Sequence, residues 1–143
     1  FGRDMIQTMT EKDGIGLAAP QVGELKRIIV VYPIRERSLE EKAKKTPQVF
    51  INPKIGKISK KTEIMEEGCL SFPGLWLKIK RAKDVEIEAI NEAGERIQNH
   101  AEGILSRAFQ HEIDHLNGIL FIDHVRVGRR IWELLKFFIR SKK

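Results

Sequence analysis

The chain has 143 residues, a mass of 16.5 kDa, 41% hydrophobic and 32% charged residues, a formal charge of +6 and a pI near 9.6. This size suits one domain with one core, and the composition excludes a disordered chain. No apolar run reaches membrane-spanning length, nothing resembles a signal peptide, and the single cysteine excludes an internal disulfide and fits a reducing cytosol.

The chain opens "FGRDMIQTMTEKDG" without an initiator methionine, and Met5, Ile6 and Met9 have the spacing of an amphipathic helix ending by Gly14. "GIGLAAPQVG" (14–23) reads as a small-residue loop, and "RIIVVYP" (27–33) as a buried strand. "IRERSLEEKAKK" (34–45) mixes charge signs, as a solvated loop or short surface helix does. "QVFINP" (48–53), "KIGKIS" (54–59) and "KTEIMEEG" (61–68) read as short strands separated by turns. "LWLKIKR" (75–81) and "DVEIEAI" (84–90) alternate apolar and charged residues, which puts Val85, Ile87 and Ala89 inward and Glu86 and Glu88 in solvent. "NEAG" (91–94) is a hairpin turn into "ERIQNH".

The period then changes. "EGILSRAFQHEIDHLNG" (102–118) has helical spacing and ends on an Asn117-Gly118 cap. A last helix from about Arg129 is expected to bury Ile131, Leu134, Leu135 and Phe138. Strands and helices are segregated along the chain, which points to an α+β fold: short antiparallel sheets packed around a central helix, with a C-terminal helix.

The central helix carries the chemistry. His111-Glu112-Ile113-Asp114-His115 has the H-E-x-x-H form, whose imidazoles lie one turn apart and can reach one metal ion. Glu112 then projects beside the ion, where it can take a proton from a water. A surface helix with scattered histidines is the competing reading. A third ligand is required, and after His115 the only histidine is His124, with no acid at the helical distance the zinc proteases use. Upstream, "EEGCLSFPG" (66–74) holds the only cysteine, Cys69. Lone cysteines are more often small buried hydrophobes, but this one follows a glycine and precedes a strand break, so its sulfur can face a cleft. A thiolate, two imidazoles and a water form a sound catalytic metal geometry.

"GIGLAAPQVG", "EGCLS" and "QHEIDHLNG" stand in the order of the three signature motifs of the bacterial and organellar peptide deformylases, and the chain resembles that family over residues 14–118. The resemblance implies that Cys69, His111 and His115 bind one divalent metal ion, Fe(II) first, with zinc, nickel or cobalt as substitutes. It implies hydrolysis of the N-formyl group from the formylmethionine of new polypeptides, releasing formate. By the same resemblance Glu112 is expected to carry the proton, and the Gln21 side-chain amide and the Leu70 backbone N–H to donate to the oxyanion. The resemblance further implies that Ile15, Gly16 and Gly68 pair with the peptide like an added strand, with Ile15 also helping to form the methionine pocket; the two glycines either leave room for the peptide's approach or only make turns. Glu67 and Arg81 match family positions near the cleft. Asp114 is a partner of the ligands or a surface acid, Trp76 a rim or sheet residue, and His100 and His124 are surface histidines.

Family members carry a segment ahead of the first motif, so residues 1–143 are expected to be a single catalytic domain lacking an N-terminal piece. The expected partners are nascent N-formylmethionyl polypeptides and, through the basic C-terminal helix, a transient ribosome contact. No membrane or DNA partner is expected, and the chain is read as a monomer of the bacterial or organellar cytoplasm. An H-E-x-x-H endopeptidase fits poorly with a cysteine ligand and with Gln21. A non-catalytic binding module fits poorly with an intact set of Gln21, Cys69, His111, Glu112 and His115.

Overall fold

The computed structural model describes residues 1–34 and 39–140, with Leu39 and Arg140 described by their backbone alone. The order is α1 (Gly2–Glu11), β1 (Gly16–Ala18), a 3-10 turn (Ala19–Val22), β2 (Ile28–Val31), α2 (Leu39–Ala43), β3 (Gln48–Ile58), β4 (Thr62–Cys69), β5 (Phe72–Ala82), β6 (Asp84–Ile90), β7 (Arg96–Glu102), α3 (Gly103–Leu116), a second 3-10 turn (Phe121–His124) and α4 (Val127–Arg140). All strand pairings are antiparallel, in one five-stranded sheet ordered β1-β2-β3-β6-β7 and one two-stranded sheet of β4 and β5. The fold is therefore α+β, as the segregated pattern predicts.

The unbroken apolar run of β2 has a direct cause. Ile29 and Val31 face α3, packing with Phe50, Val85, Ile87, Phe109 and Ile113. Val30, on the opposite face, joins Met5 and Met9 of α1, Leu17 and Val49. A strand buried on both faces has no solvent side to mark with charge. In β6, Val85, Ile87 and Ala89 are buried as expected. The smaller sheet turns Leu75, Leu77 and Ile79 onto Phe121, Ile122 and Val125.

Three expectations need correction. The small-residue stretch 14–23 is not all loop: Gly16–Ala18 forms an edge strand registered Gly16↔Val31, Leu17↔Val30 and Ala18↔Ile29. Residues 48–58 form one strand rather than two, because the break suggested by Pro53 is a bulge: the register shifts between Ile51 and Lys54, and Asn52 takes φ 51°. The final helix starts at Val127, and its contacts fall on Leu134 and Phe137. Ile131, Leu135 and Phe138 are each more than half exposed, so the buried stripe is rotated from the expected one. The apolar arc of α4 is wider than the surface it packs on, so periodicity alone does not select which part is covered. Of the mixed-charge stretch, residues 35–38 lie outside the described residues, and Leu39–Ala43 is a short helix.

Candidate active site

α3 enters from β7 through Gly103, whose φ of 56° suits glycine and turns the chain sharply into the helix. Its fixed point is Gln110. The side-chain Oε1 accepts from the Ala82 N–H at 3.1 Å and Nε2 donates to the Ala82 carbonyl at 2.9 Å, so the amide completes the backbone at the end of β5. Ser106 Oγ donates to the same carbonyl at 3.0 Å. With the helix so pinned, His111 and His115 project to one point.

Cys69 arrives there from the end of β4, where the register with β5 slips between Gly68 and Cys69. Its Sγ lies 3.3 Å from His115 Nε2, which lies 3.2 Å from His111 Nε2, and the three donor atoms lie within 4.8 Å of one another. Two imidazole nitrogens and a thiol facing a common point are the donor set of a small cation. The titration behaviour agrees. Burial alone would raise the Cys69 thiol, but hydrogen bonds with His111 and His115 bring it down to about 5. Burial alone would lower His111, but Cys69 and Glu67 bring it up to about 10. The residues present therefore fit a metal cofactor.

Behind these three side chains lies a buried ionic network. Glu67, 2% exposed, accepts from His111 Nδ1 at 2.6 Å, which turns the other ring nitrogen to the site. Arg81 donates to both Glu67 oxygens at 3.2 and 2.8 Å, and Arg107 Nη1 donates to Oε2 at 2.9 Å. Burial would raise the Glu67 pKa, yet His111 and Arg81 hold it far below the usual carboxylate range. Arg81 also donates to Asp114 Oδ2 at 2.6 Å, and His124 Nε2 lies 2.7 Å from that oxygen. Asp114 is thus tied to the network, and His124 is not the plain surface histidine expected; His100 is, at 57% side-chain exposure.

Glu112 is 4% exposed; burial lifts its pKa to about 7 against the pull of His111 and His115. Its Oε2 has no hydrogen-bond partner among the described residues. Gln21 is oriented from both ends of its amide: Oε1 accepts from the Ala18 N–H at 2.8 Å, and Nε2 donates to Ser71 Oγ at 3.1 Å and lies 3.4 Å from Cys69 Sγ.

The polypeptide deformylase family model matches residues 1–130. The peptide deformylase of Halothermothrix orenii is 50% identical over 129 residues, covering 90% of this chain and 78% of that protein. The peptide deformylase of Agrobacterium fabrum is 42% identical over 134 residues, covering 94% of this chain and 76% of that one. The crystal structure of the Ehrlichia chaffeensis peptide deformylase superposes with a TM-score of 0.85 at 36% identity, over 98% of this chain and 80% of that one. The chain belongs to the polypeptide deformylase family. It is a metal-dependent hydrolase that removes the N-formyl group from new polypeptides.

The enzyme's cleft, about 810 Å³, is lined by Ile15, Gly16, Gln21, Gly68, Cys69, Leu70, His111 and Glu112, which are all the residues expected to bind metal or peptide or to take part in the reaction except His115. β1 and β4, one edge strand from each sheet, both face it. Trp76 is a rim residue, 55% exposed, and its indole covers Gly68: a Cβ there would meet the ring at 3.1 Å. Two contributors escaped the sequence reading. Arg107 lies one turn before His111 on the inner face of α3, and a charged residue at that spacing was the available signal. Ser71 lies two residues after Cys69, and nothing in the sequence pairs it with Gln21.

Among the described residues no helix is long and apolar enough to cross a membrane.

Proposed function

We propose that deformylation in this chain runs on Cys69, His111 and His115 as ligands of one divalent ion, with Glu112 as the proton carrier. The observation that carries this reading is the convergence of the three donor atoms within 4.8 Å beside a buried carboxylate in a single cleft. When bound, the ion supplies Lewis acidity that brings the pKa of a water near neutrality. Fe(II) is the ion proposed, with zinc, nickel or cobalt as substitutes; that choice rests on family resemblance, since one thiolate and two imidazoles suit zinc as well.

The remaining steps belong to the protein. Glu112, buried beside His111 and His115, takes the proton of the attacking water and hands it to the departing amine. The Gln21 Nε2 and the Leu70 backbone N–H donate to the formyl oxygen as negative charge develops on it, and losing one such donor costs about 10²–10³ in rate. Anchoring of Gln21 Oε1 by Ala18 keeps the amide's N–H side toward Cys69, which supports this role. The peptide lies between the free edges of β1 and β4, pairing with the backbone of Ile15, Gly16 and Gly68, while Ile15 contributes to the wall that takes the methionine side chain.

By family resemblance, the same reading takes the chain as a monomer acting on nascent chains in the bacterial or organellar cytoplasm. A transient ribosome contact would use the exposed Arg129 of α4 and Arg126 just ahead of that helix, whereas Arg130 is held by Asp123 at 2.7 Å. Arg129→Glu should weaken co-sedimentation with ribosomes without changing peptide turnover; unchanged co-sedimentation removes this contact from the account.

The central test measures formate release from formyl-Met-Ala-Ser by anaerobic, Fe(II)-loaded protein beside Glu112→Ala. The expected result is turnover in the parent and a loss of about 10²–10⁴ in the variant, each holding one metal per chain. Full turnover in the variant would remove Glu112 from the mechanism.

A further inference from the structure

A carboxylate that carries protons must be placed accurately, yet Glu112 Oε2 has no hydrogen-bond partner among the described residues. Something other than a hydrogen bond at that oxygen must fix it. We propose that Gly16 is a positioning residue for Glu112: the β1 backbone, bare at this one residue, is the wall that sets the carboxylate beside Cys69, His111 and His115. The proposal rests on the reading of Glu112 as proton carrier and deepens it.

Three observations support it. Gly16 does not have the positive φ that would call for glycine, unlike Gly23, Gly74, Gly94, Gly103 and Gly118, so its backbone conformation is open to any residue. The space for its side chain is already occupied, because a Cβ built there meets three atoms of Glu112, with Cδ and Cγ both at 2.9 Å and Oε1 closer still. Wall and carboxylate also stand on fixed supports. Gly16 is laddered to Val31 in a buried strand, and α3 is pinned by Gln110 to Ala82.

Contact with a bare backbone places a carboxylate without engaging its lone pairs, and uncommitted lone pairs are what proton transfer needs. The same strand orients Gln21 through the Ala18 N–H, so β1 sets both the proton carrier and the amide donor. A methyl at position 16 would displace the far end of one side chain rather than backbone. The cost therefore falls on the carboxylate's position more than on the fold.

The test compares the parent, Gly16→Ala, Glu112→Asp and the double variant as metal-loaded enzymes on formyl-Met-Ala-Ser. Gly16→Ala should keep one metal per chain and a KM within about threefold, while kcat falls about 100-fold. Glu112→Asp shortens the side chain, so in the double variant the carboxylate fits beneath the new methyl, and kcat should be about tenfold above that of Gly16→Ala alone. A raised KM with kcat retained would show that Gly16 only makes room for the peptide, and multiplicative losses in the double variant would show no contact; either overturns the proposal.

A second readout needs no turnover. Gly16→Ala should lower Tm in the parent but not in a Glu112→Ala background, where the space is free, and this holds even if Gly16→Ala alone folds poorly. Equal losses in both backgrounds overturn the proposal. Full turnover by Glu112→Ala would sink the proton-carrier reading by itself, and the Tm coupling separates that failure from failure of the contact.

Discussion

Glu67 Oε1 stands 2.6 Å from His111 Nδ1, and the same carboxylate takes hydrogen bonds from both Arg81 and Arg107. One buried anion thus joins a proposed metal ligand to two buried cations. It fixes the tautomer of the imidazole and neutralises guanidinium charge that the interior could not otherwise hold.

Replacing that carboxylate separates its two roles. Glu67→Gln keeps the shape but removes the charge, leaving Arg81 and Arg107 in excess over Asp114. Breaking a buried ion pair from one side costs about 3–5 kcal/mol, and loss of a ligand's outer partner weakens metal binding about 10–100-fold. Denaturant unfolding and a competitive chelator titration measure the two effects. A variant that unfolds earlier but binds metal as tightly as the parent would show that Glu67 serves the arginines alone.

Cys69 gives a test in the metal-free protein. Its thiol titrates at about 5, well below an ordinary thiol, because His111 and His115 favour the thiolate despite burial. The ultraviolet absorbance of thiolate should therefore persist from neutral pH down to about 5 and vanish below it. Since the folded pKa is lowered, this group's contribution to stability is fully present above the unfolded thiol's pKa, declines as pH falls between the unfolded and folded values, and is lost below about 5. A midpoint above 8 would mean that the histidines do not face the sulfur.

Ser71 supplies a milder perturbation. Its hydroxyl accepts from Gln21 Nε2 at 3.1 Å, while Ala18 holds the other end of the amide. Ser71→Ala should let the amide rotate and lower kcat by about two- to tenfold, in line with one hydrogen bond of about 0.5–1.5 kcal/mol. Gln21→Ala should cost more, and in a Gln21→Ala background the serine substitution should have no further effect. Independent losses would place Ser71 in a separate role.

The register of α4 can be read from stability. Leu134 packs against the cluster of Leu75, Leu77, Ile79 and Phe121, whereas Ile131 is 53% exposed. Leu134→Ala should cost about 1–3 kcal/mol, and Ile131→Ser should stay within about 0.5 kcal/mol. A reversed order in urea unfolding would restore the stripe expected from periodicity.

Read along the chain, His111, Glu112 and His115 declared themselves, because helical spacing converts four residues of separation into one shared face. Cys69 was suggested as a third donor by its setting and singled out by the three motifs together, and the fold class came from the segregation of strands and helices. Local pattern determines local geometry, and these features are local or rest on motif order. Tertiary structure decided the rest. It showed that Pro53 sits in a bulge, that α4 packs Leu134 rather than Ile131 against the core, and that Glu67, Arg81, Arg107, Asp114 and His124 form one network, buried at its Glu67 end. It also showed that the space for a side chain at Gly16 is filled by Glu112, 96 positions away by their numbering. Contacts between strands and helices far apart in sequence leave no periodicity to read: the partner of a buried charge or the occupant of a missing side chain is set by which surfaces the fold brings together.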